Sequence, residues 1–458
     1  MLADLPFEES CLVQHPGFLI SPRFRRRLVL FLSLGATGDS VYLHQTMEPL
    51  QVEPEPPATR LLLLKLISSG FSFFVAGLND GSLGALIPYI RQEYDIDTNM
   101  VSIVYGTTFF GWFFAALTNS YLGQYFNIGI LLLLGAALQI LAHALRTWAP
   151  PFPLFAVTFF IAALGQAYQD THANSFVATV KGAHRWLGFI HAMYMGGCLV
   201  GPFVSTAVAS SGRTSHWELF YTTPLGMGVV NLILVWVAFR EWATLRQHEQ
   251  GEVAESSTSR QREATTEMKK TLATPGVWLL SLYFFFFLGA AITAGGWIVE
   301  YLVDVRNGGL DKMGYVPAGF YGGGFIGRLL LAEPTYRFGE RRMILIYVVL
   351  CLALELVFWL VPNIITEAVA ISLLGLFSGP FFATGISVAS KLFAKEIRSS
   401  ALAFIFLMGQ IGGSVFPAVT GVIAAQSGVK VLQPILVGLL GATGVSWLII
   451  PKPRVHHD

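Results

Sequence analysis

The stretch EWATLRQHEQGEVAESSTSRQREATTEMKKTLAT (residues 241–274) is rich in charged and polar residues and separates two long apolar parts of the chain. Six apolar segments precede it between residues 61 and 240, and six follow it between residues 275 and 450. A helix needs about 20 apolar residues to cross a bilayer core of roughly 30 Å, and each segment with its loop has roughly 30 residues. The pattern therefore predicts an all-α membrane protein with twelve transmembrane helices in two six-helix halves.

The predicted organisation has five parts. They are a mostly disordered tail (1–60), the N-terminal six-helix half (61–240), a linker (241–274), the C-terminal six-helix half (275–450) and a short tail (451–458). We expect the spans at 63–90, 100–122, 128–147, 152–180, 186–210, 217–239, 276–303, 315–333, 342–361, 364–390, 399–425 and 431–450. Membrane β-strands have only about 9–11 residues, so these longer runs favour helices.

The composition supports a membrane protein. The chain is 54% hydrophobic and 12% charged, and its mean hydropathy is +0.59. A soluble domain has about 25% charged residues and would have to hide this apolar surface in its core. The net charge of +1 gives no basic surface for nucleic acid. We therefore expect the lipid bilayer as a partner and no nucleic acid.

Features of an enzyme or of a metal protein are not recognisable in the sequence. Cys11, Cys198 and Cys351 lack the spacing of metal ligands, and two of them lie inside predicted spans. The glycine-rich run 322–327 belongs to an apolar helix and does not resemble a phosphate-binding loop. We therefore expect no enzymatic activity, no cofactor and no bound metal.

Lys and Arg residues predict the orientation in the membrane. Most of them lie in the linker, near the two ends of the chain, and in the loops that contain residues 181–185, 337–342 and 391–398. The opposite side has fewer, namely Arg91, Arg146, Arg213, Arg306, Lys312 and Lys430. Cytoplasmic loops carry the excess of Lys and Arg. We therefore expect a multi-pass protein with both termini in the cytoplasm, monomeric, and located by default in the plasma membrane.

Polar side chains inside the spans are candidates for a binding site, because a polar group in the membrane usually faces a cavity or a partner. The first span contains Asn79 and Asp80, and the fifth contains His191 and Tyr194. On a helix with 100° per residue, the polar residues of the fourth span share an arc of about 140°. These residues are Gln166, Gln169, Asp170 and Asn174. Amides and a carboxylate on one face suit hydroxyl-rich ligands, which need directional donors and acceptors.

Several of these residues also have structural interpretations. Asn79 and Asp80 can stabilise a helix break near Gly81 or bond a neighbouring helix. Trp297 can stack on a ligand or pack in the core. Glu300 and Asp304 lie towards the outer end of the seventh span, where they can form a rim.

A loop motif after the eighth span indicates the family. The chain reads Gly327-Arg328 and continues through Glu333, Pro334, Arg337, Phe338 and Gly339 to Arg341 and Arg342. This resembles the cytoplasmic loop motif of the major facilitator superfamily, whose members have two six-helix halves. The resemblance implies a cytoplasmic gate made by Arg328, Glu333, Arg337 and Arg341. The alternative is simple anchoring of Arg341 and Arg342 at the membrane surface. The equivalent loop 119–129 lacks both the acid and the arginines.

Within the superfamily, the chain is similar to the fucose-permease-like branch and to a fungal group in it. The similarity rests on Asn79-Asp80 in the first span, and on Asp170 four residues before Asn174 in the fourth. It implies that Asp80 and Asp170 couple transport to protons. Motifs of the second half agree, namely Gly295 to Val299, Gly379 to Phe381, and Gly412-Gly413 with Pro417. Relatives often have an acid where this chain has Ala291, so a contact there lacks support.

The resemblance predicts a secondary active transporter that works by alternating access. We expect proton-coupled uptake of a sugar or a similar small polar metabolite, with protons and this molecule as partners. Substrate-binding roles fall to Asn79, Gln166, Gln169, Asn174, His191, Tyr194 and Trp297. Burial disfavours the charged form of a carboxylate, which allows it to bind and release a proton near neutral pH. The alternatives are an exporter or uniporter of another small molecule and a nutrient sensor that does not transport.

Overall fold

A computed structural model of the chain describes residues 57–212, 214–243 and 266–451. In these ranges the chain is almost entirely α-helical and forms no β-strand. Residues 1–56, most of the predicted tail, lie outside the described residues, as do 244–265 of the predicted linker. Residues 57–60, which the sequence placed in the tail, belong to the first helix. Residues 266–273 at the end of the linker are also helical.

In the part of the chain that the structure describes, twelve main helices build the fold, and we number them α1 to α12 in chain order. They are α1 (Pro57–Tyr94), α2 (Thr98–Tyr125), α3 (Ile128–Arg146), α4 (Phe152–Thr179), α5 (Ala183–Ala209), α6 (Thr222–Phe239), α7 (Pro275–Asp304), α8 (Val316–Leu330), α9 (Glu340–Leu360), α10 in two parts (Ile364–Ser378 and Phe381–Leu392), α11 (Lys395–Ser427) and α12 (Leu432–Ile449). The twelve-helix membrane fold expected from the sequence is confirmed.

Helix α8 departs from the predicted span 315–333. Among the described residues, eleven helical stretches are long and apolar enough to cross a membrane, but α8 has only 15 residues. At about 1.5 Å per residue it covers less than the apolar thickness of a bilayer. The short helices Leu310–Met313 and Ala332–Phe338 lie before and after it. The bend at Leu331 ends the regular helix earlier than the apolar pattern predicts.

Local chemistry determines several helix ends. Asp97 precedes α2, and its side chain accepts a hydrogen bond of 2.9 Å from the Met100 amide. Asn363 caps α10 in the same way, with 3.0 Å to the Thr366 amide. Such caps satisfy amides that have no partner inside the helix. Gly339 precedes α9 with φ of 96°, a conformation that glycine adopts without steric cost.

The helices of the two halves pack in the same pattern. In the first half α1 packs on α5, α4 on α2 and α3, and α6 on α3 and α1. In the second half α7 packs on α11, α10 on α8 and α9, and α12 on α9 and α7. The most extensive contacts between the halves join α1 with α7, α2 with α11, and α5 with α8, and α1 also touches α8. The exact boundaries of the halves and tails stay predictions.

Glycines allow the helices that carry the candidate site to approach closely. A Cβ atom at Gly77 of α1 would overlap the carbonyl oxygen of Tyr194 in α5. One at Gly197 of α5 would overlap the carbonyl oxygen of Phe74 in α1. Only residues without a side chain permit this backbone contact. The contact therefore places Asp80 of α1 beside Tyr194 of α5.

Candidate functional site

The carboxylate of Asp80 lies at the meeting point of α1, α4 and α5. Its Oδ1 accepts hydrogen bonds from Asn79 Nδ2 at 2.9 Å and from Gln166 Nε2 at 3.0 Å. Its Oδ2 accepts a third from the Tyr194 hydroxyl at 2.9 Å. Three donors around two oxygens suit an ionised carboxylate, which is an acceptor only. The structure thus brings together four of the residues that the sequence singled out.

Asp80 is also open to its surroundings. Its side chain is exposed, while its neighbours Leu78 and Ser82 in the same helix are buried. Its partner Gln166 in α4 is buried, and its partner Tyr194 in α5 is half-buried. The carboxylate therefore lies on the wall of an internal space and has both fixed donors and room for a ligand or water.

Arg146 is a member of this network that the sequence analysis missed. Its positive charge was assigned to an outer loop, but the side chain is 0% exposed at the end of α3. Its Nη1 donates to Asn79 Oδ1 at 2.9 Å and its Nε to Thr158 Oγ1 at 2.7 Å. The guanidinium also lies 3.7 Å from the centre of the Phe159 ring, in a cation–π contact. The one available signal was that Arg146 ends an apolar segment instead of lying within a loop.

Gln169 belongs to a second, fully buried network. Its Oε1 accepts from Gln139 Nε2 at 2.8 Å and from Asn231 Nδ2 at 3.2 Å. Its Nε2 donates to the carbonyl oxygen of Leu132 at 3.0 Å. Asn231 in turn accepts from Ser72 at 2.8 Å. These bonds join α1, α3, α4 and α6, so Gln169 faces its helix neighbours, and the binding role given to it stays a prediction.

Asp170 and Asn174 lie one helical turn apart on α4 and are both half-buried. The Asp170 carboxylate interacts with the side chain of Asn174 and, unfavourably, with the charge of Asp80. Two carboxylates that repel each other favour a state in which one of them is protonated. Asp80 and Asp170 are therefore suited to bind a proton between them, and their role in proton coupling stays a prediction.

His191 of α5 reaches across to the second half. Its ring lies 5.3 Å from the ring of Phe73 in α1 and 5.1 Å from that of Phe382 in α10. Its carbonyl oxygen accepts a hydrogen bond of 3.2 Å from Arg328 Nη1 in α8. The guanidinium of Arg328 lies 5.8 Å from the Phe382 ring. His191 thus forms part of a contact between the halves, while its binding role stays a prediction.

The four residues expected to form a gate do not share one common contact. Glu333 pairs with Arg337 at 2.5 Å within one short helix, where both side chains are well exposed. Arg341 donates to the carbonyl oxygens of Leu448 and Ile450 at the end of α12. Arg328 contacts α5, as described above. In the described ranges no ion pair joins Arg328 or Arg341 to Glu333. The gate stays a prediction.

A different polar contact joins helix ends in this region. Glu340, the first residue of α9, accepts hydrogen bonds from Lys391 and Ser387 in α10, each at 2.6 Å. The sequence analysis missed this pair because Glu340 and Lys391 are far apart in the chain. Ion pairs between distant residues leave no pattern in a single sequence.

The opposite end of the bundle is closed between the halves. We call the end where α1 begins the inner end and the opposite end the outer end. At the outer end Arg91 of α1 forms an ion pair with Glu300 of α7, and Asp304 lies 3.6 Å from the guanidinium. Thr98 of α2 donates to the carbonyl oxygen of Gly421 in α11 at 2.9 Å. Glu300 and Asp304 therefore face the first half, at the rim that the sequence suggested.

Trp297 lies within this closed contact. Its side chain is 0% exposed, and its Nε1 donates to the carbonyl oxygen of Pro417 at 2.9 Å. Its ring lies 6.2 Å from that of Tyr105 in α2. In this conformation Trp297 packs between the halves, so stacking on a substrate stays a prediction.

Known proteins resemble the chain over most of its length. It is 28% identical over 437 residues to the Bypass of stop codon protein 6 of Saccharomyces cerevisiae, covering 90% of this chain and 86% of that protein. It is 26% identical over 183 residues to the Protein spinster homolog 1 of Xenopus laevis, covering 39% of this chain and 33% of that protein.

Solved structures share the fold. A bacterial homolog of the human lysosomal transporter Spinster, in an inward-facing and occupied conformation, matches with a TM-score of 0.65 and 12% identity, over 87% of this chain and 97% of that one. The E. coli fucose:proton symporter FucP matches with a TM-score of 0.59 and 18% identity, over 86% of this chain and 99% of that one.

The family model described as Major Facilitator Superfamily matches residues 70–335 and 309–458. These ranges include the described helices of both halves, apart from the first residues of α1. The family and the fold are those of secondary transporters and not of enzymes. The chain belongs to the Major Facilitator Superfamily.

Proposed function

We propose that the chain is a proton-coupled symporter that takes up a sugar or a similar small polar metabolite by alternating access. The observation that carries this proposal is the carboxylate of Asp80, exposed inside the bundle and bonded by Asn79, Gln166 and Tyr194. An ionisable group inside a membrane protein is costly and commonly marks an ion or substrate path.

Protonation of Asp80 would change the contact between three helices. The ionised carboxylate accepts hydrogen bonds from α4 through Gln166 and from α5 through Tyr194. A protonated carboxyl group has a donor of its own and one acceptor position fewer, so these donors no longer fit equally well. Since α5 also contacts α8 and α10 of the other half through His191, the proton can bias the relative position of the halves.

The neighbourhood of Asp80 suits a ligand with several hydroxyl groups. Asp170, Asn174 and Tyr194 are half-buried, so part of each residue stays accessible. Carboxylate, amide and phenol groups together supply both donors and acceptors. The fucose:proton symporter among the structural neighbours has the same fold, which is consistent with this substrate class.

Two other functions compete with this proposal. An exporter or uniporter of another small molecule would use the same fold with a different coupling. A sensor that binds without transporting is favoured by Ala291, where relatives often have an acid, and by the loop 119–129, which lacks the charged residues of the gate motif. We further propose a monomer in the plasma membrane, with both termini in the cytoplasm.

The test is uptake into proteoliposomes that contain the purified full chain. A panel of labelled sugars is offered with an acidic outside and again without a pH gradient. We expect at least one sugar to accumulate only with the gradient. We expect Asp80→Asn to abolish this accumulation and Asp170→Asn to change its dependence on pH.

The matched control is Glu93→Gln, which removes an exposed carboxylate at the outer end of the same helix α1. It should accumulate sugar like the wild type. Uptake without dependence on the gradient would replace the symporter by a uniporter. Saturable binding without flux would support the sensor, and uptake unchanged in Asp80→Asn would remove the central role of this carboxylate.

A further inference from the structure

Arg146 is a buried cation without a directly bound anion. Within residues 57–212, 214–243 and 266–451 it forms no salt bridge, and its hydrogen bonds go to the neutral groups of Asn79 and Thr158. Burying a guanidinium is unfavourable unless an opposite charge or good hydrogen bonds compensate. Tyr221 and Asp80 are the acidic groups that act on Arg146, and Asp80 lies one side chain further along the same chain of hydrogen bonds.

The amide of Asn79 connects the two charges. Its Oδ1 accepts from Arg146 at 2.9 Å, and its Nδ2 donates to Asp80 Oδ1 at 2.9 Å. A guanidinium has donors only, so the reverse orientation of the amide would place an NH2 group against it. Arg146 therefore determines that Asn79 presents a donor to Asp80.

We propose that Arg146 is a positioning residue that favours the ionised form of Asp80 by orienting the amide of Asn79. The proposal deepens the function proposed above and rests on it for its physiological meaning. With a neutral residue at position 146, the amide is free to turn its oxygen towards Asp80. It then accepts the hydrogen bond of a protonated carboxyl group, and Asp80 holds its proton to higher pH.

Several other groups act on Asp80 from the surrounding helices. Asp170 faces it from α4, Tyr194 and Cys198 from α5, and Tyr321 from α8. None of these four groups carries a positive charge, so Arg146 is the one cation in this set. Its removal therefore acts in one direction, towards the protonated carboxyl, and the remaining groups do not compensate for the lost positive charge.

The proposal also predicts how transport changes. A symporter must release its proton towards the inside, where the ionised form of the carboxylate has to be restored. If Asp80 keeps its proton, net uptake slows, while exchange of labelled for unlabelled sugar needs no proton release and continues. Arg146→Gln should thus lower net uptake at least tenfold and leave exchange within about twofold of the wild type.

The direct test is an infrared titration of the full chain in lipid nanodiscs, without added substrate. The C=O band of the protonated carboxyl group is followed against pH and assigned to Asp80 by its loss in Asp80→Asn. We expect Arg146→Gln to raise the midpoint by about one pH unit, which is a tenfold change in the protonation equilibrium. An unchanged or lowered midpoint would overturn the proposal.

A double-mutant cycle separates this role from packing. Asn79→Ala should itself raise the midpoint, and in that background Arg146→Gln should add less than half of its effect in the wild type, because the connecting amide is gone. Equal effects in both backgrounds would contradict a connection through Asn79. Thr158→Val, which removes the other hydrogen-bond partner of the guanidinium, should leave the midpoint unchanged.

Further variants protect the test against misfolding. Arg146→Lys retains the charge and should keep the midpoint closer to that of the wild type than Arg146→Gln does. If Arg146→Gln is not monodisperse, the titration of Asn79→Ala tests the proposal instead. A protonation midpoint of Asp80 in Asn79→Ala at or below that of the wild type rejects the proposal. A shifted midpoint in a protein that moves no tested sugar would support the role of Arg146 and reject the sugar symporter.

Discussion

Asp80 and Gln169 show how two polar side chains inside one bundle can have different roles. Both lie within membrane-spanning helices, and both hydrogen-bond residues of neighbouring helices. Gln169 is only 3% exposed, and its amide is bonded on both ends. Asp80 is exposed although its oxygens are bonded. Exposure towards the interior therefore separates a candidate ligand-binding group from a group that holds helices together.

Replacement of Gln169 by leucine should destabilise the protein without changing the charge of the site. It removes the hydrogen bonds with Gln139, Asn231 and the carbonyl oxygen of Leu132. Each such bond in a membrane protein contributes about 0.6 kcal/mol, so the loss is about 2 kcal/mol. Thermal unfolding in detergent, followed by tryptophan fluorescence, should show a lower midpoint for Gln169→Leu.

Thr171→Val is the control for this prediction. Thr171 lies two residues further along α4, and its side chain is exposed. The variant makes a similar change from polar to apolar and should melt within error of the wild type. Equal melting of Gln169→Leu and the wild type would mean that the buried network contributes no net stability.

The identity of a polar residue does not show whether its side chain faces the site or a neighbouring helix. The polar arc of α4 is about 140° wide, which is enough for Gln166 to face Asp80 while Gln169 faces α3 and α6. Arg146 is the clearest case, because a basic residue at a predicted helix end is usually an exposed anchor. Arg146 is buried because α1 and α4 pack around it, which the sequence does not show.

The contact between α1 and α5 determines the geometry of the site at the scale of helices. Gly77 and Gly81 of α1 and Gly197 and Gly201 of α5 each face backbone atoms of the other helix. Adjacent to Gly197, Gly196 points elsewhere, and a Cβ there would lie 3.7 Å from the Phe74 ring. A Cβ atom therefore fits at Gly196 but not at Gly197.

Alanine at these two positions should give opposite results. Gly197→Ala places a methyl group against the backbone of Phe74, so the helices must separate and the bond between Tyr194 and Asp80 weakens. We expect uptake to fall at least tenfold. Gly196→Ala makes an ordinary contact and improves helix propensity by about 1 kcal/mol. It should transport like the wild type.

Both variants are measured in the same proteoliposome assay at equal protein content, with melting temperatures as a check on folding. If Gly197→Ala and Gly196→Ala lose uptake to the same extent, the close backbone contact is not what limits transport. If neither loses uptake, α1 and α5 can separate without harm to the site.

The apolar patterns predicted where helices lie, but they did not predict where a helix is broken. The span predicted at 364–390 is broken at Gly379 and Pro380, where α10 changes from its first part to its second. Proline lacks the amide hydrogen that continues a helix, so the residues at the break were readable in the sequence. The direction of the second part depends on its packing against α7 and α9, which the sequence does not show.

The arrangement of the two halves is a property of the whole molecule. At the outer end the halves meet through Arg91 and Glu300, and through Thr98 and the backbone of Gly421. Glu300 is 2% exposed, so its charge depends on Arg91 for compensation. An alternating-access transporter must break such contacts to open outwards. The ion pair therefore stabilises the conformation that is closed at the outer end.

Glu300→Gln should shift the protein towards an outward-open conformation. Loss of the pair should change the ratio of the two conformations about tenfold, equal to about 1.4 kcal/mol. Spin labels at the exposed positions Glu93 and Lys312 report the distance between the halves. We expect a longer distance to gain population in the variant when it is measured by pulsed electron spin resonance.

Charge exchange and a local control complete this experiment. Arg91→Glu combined with Glu300→Arg should restore much of the shorter distance, while each single reversal lengthens it. Glu218→Gln removes an outer-end carboxylate that pairs within the first half, with His216 at 3.2 Å, and should have no effect. A distance distribution that Glu300→Gln leaves unchanged would show that apolar contacts alone close the outer end.

The orientation in the membrane gives a separate prediction. The concentration of Lys and Arg in the linker and in the inner loops predicts that these segments lie in the cytoplasm. An epitope tag at either end of the chain should therefore become accessible to antibody only after cells are permeabilised. A tag inserted next to the exposed Lys312 should be accessible in intact cells. Labelling of a terminal tag in intact cells would reverse the predicted topology.

The amino-acid sequence by itself determined the number of helices, the polar linker between them and the charged residues near their ends. These follow from chain-local quantities, because bilayer thickness sets the length of an apolar run. Only the tertiary structure decided that Arg146 joins Asp80 through Asn79, that Gln169 is bonded on all sides, and that Arg91 meets Glu300. Such contacts link residues far apart in the chain, and they depend on how each helix is rotated against its neighbours.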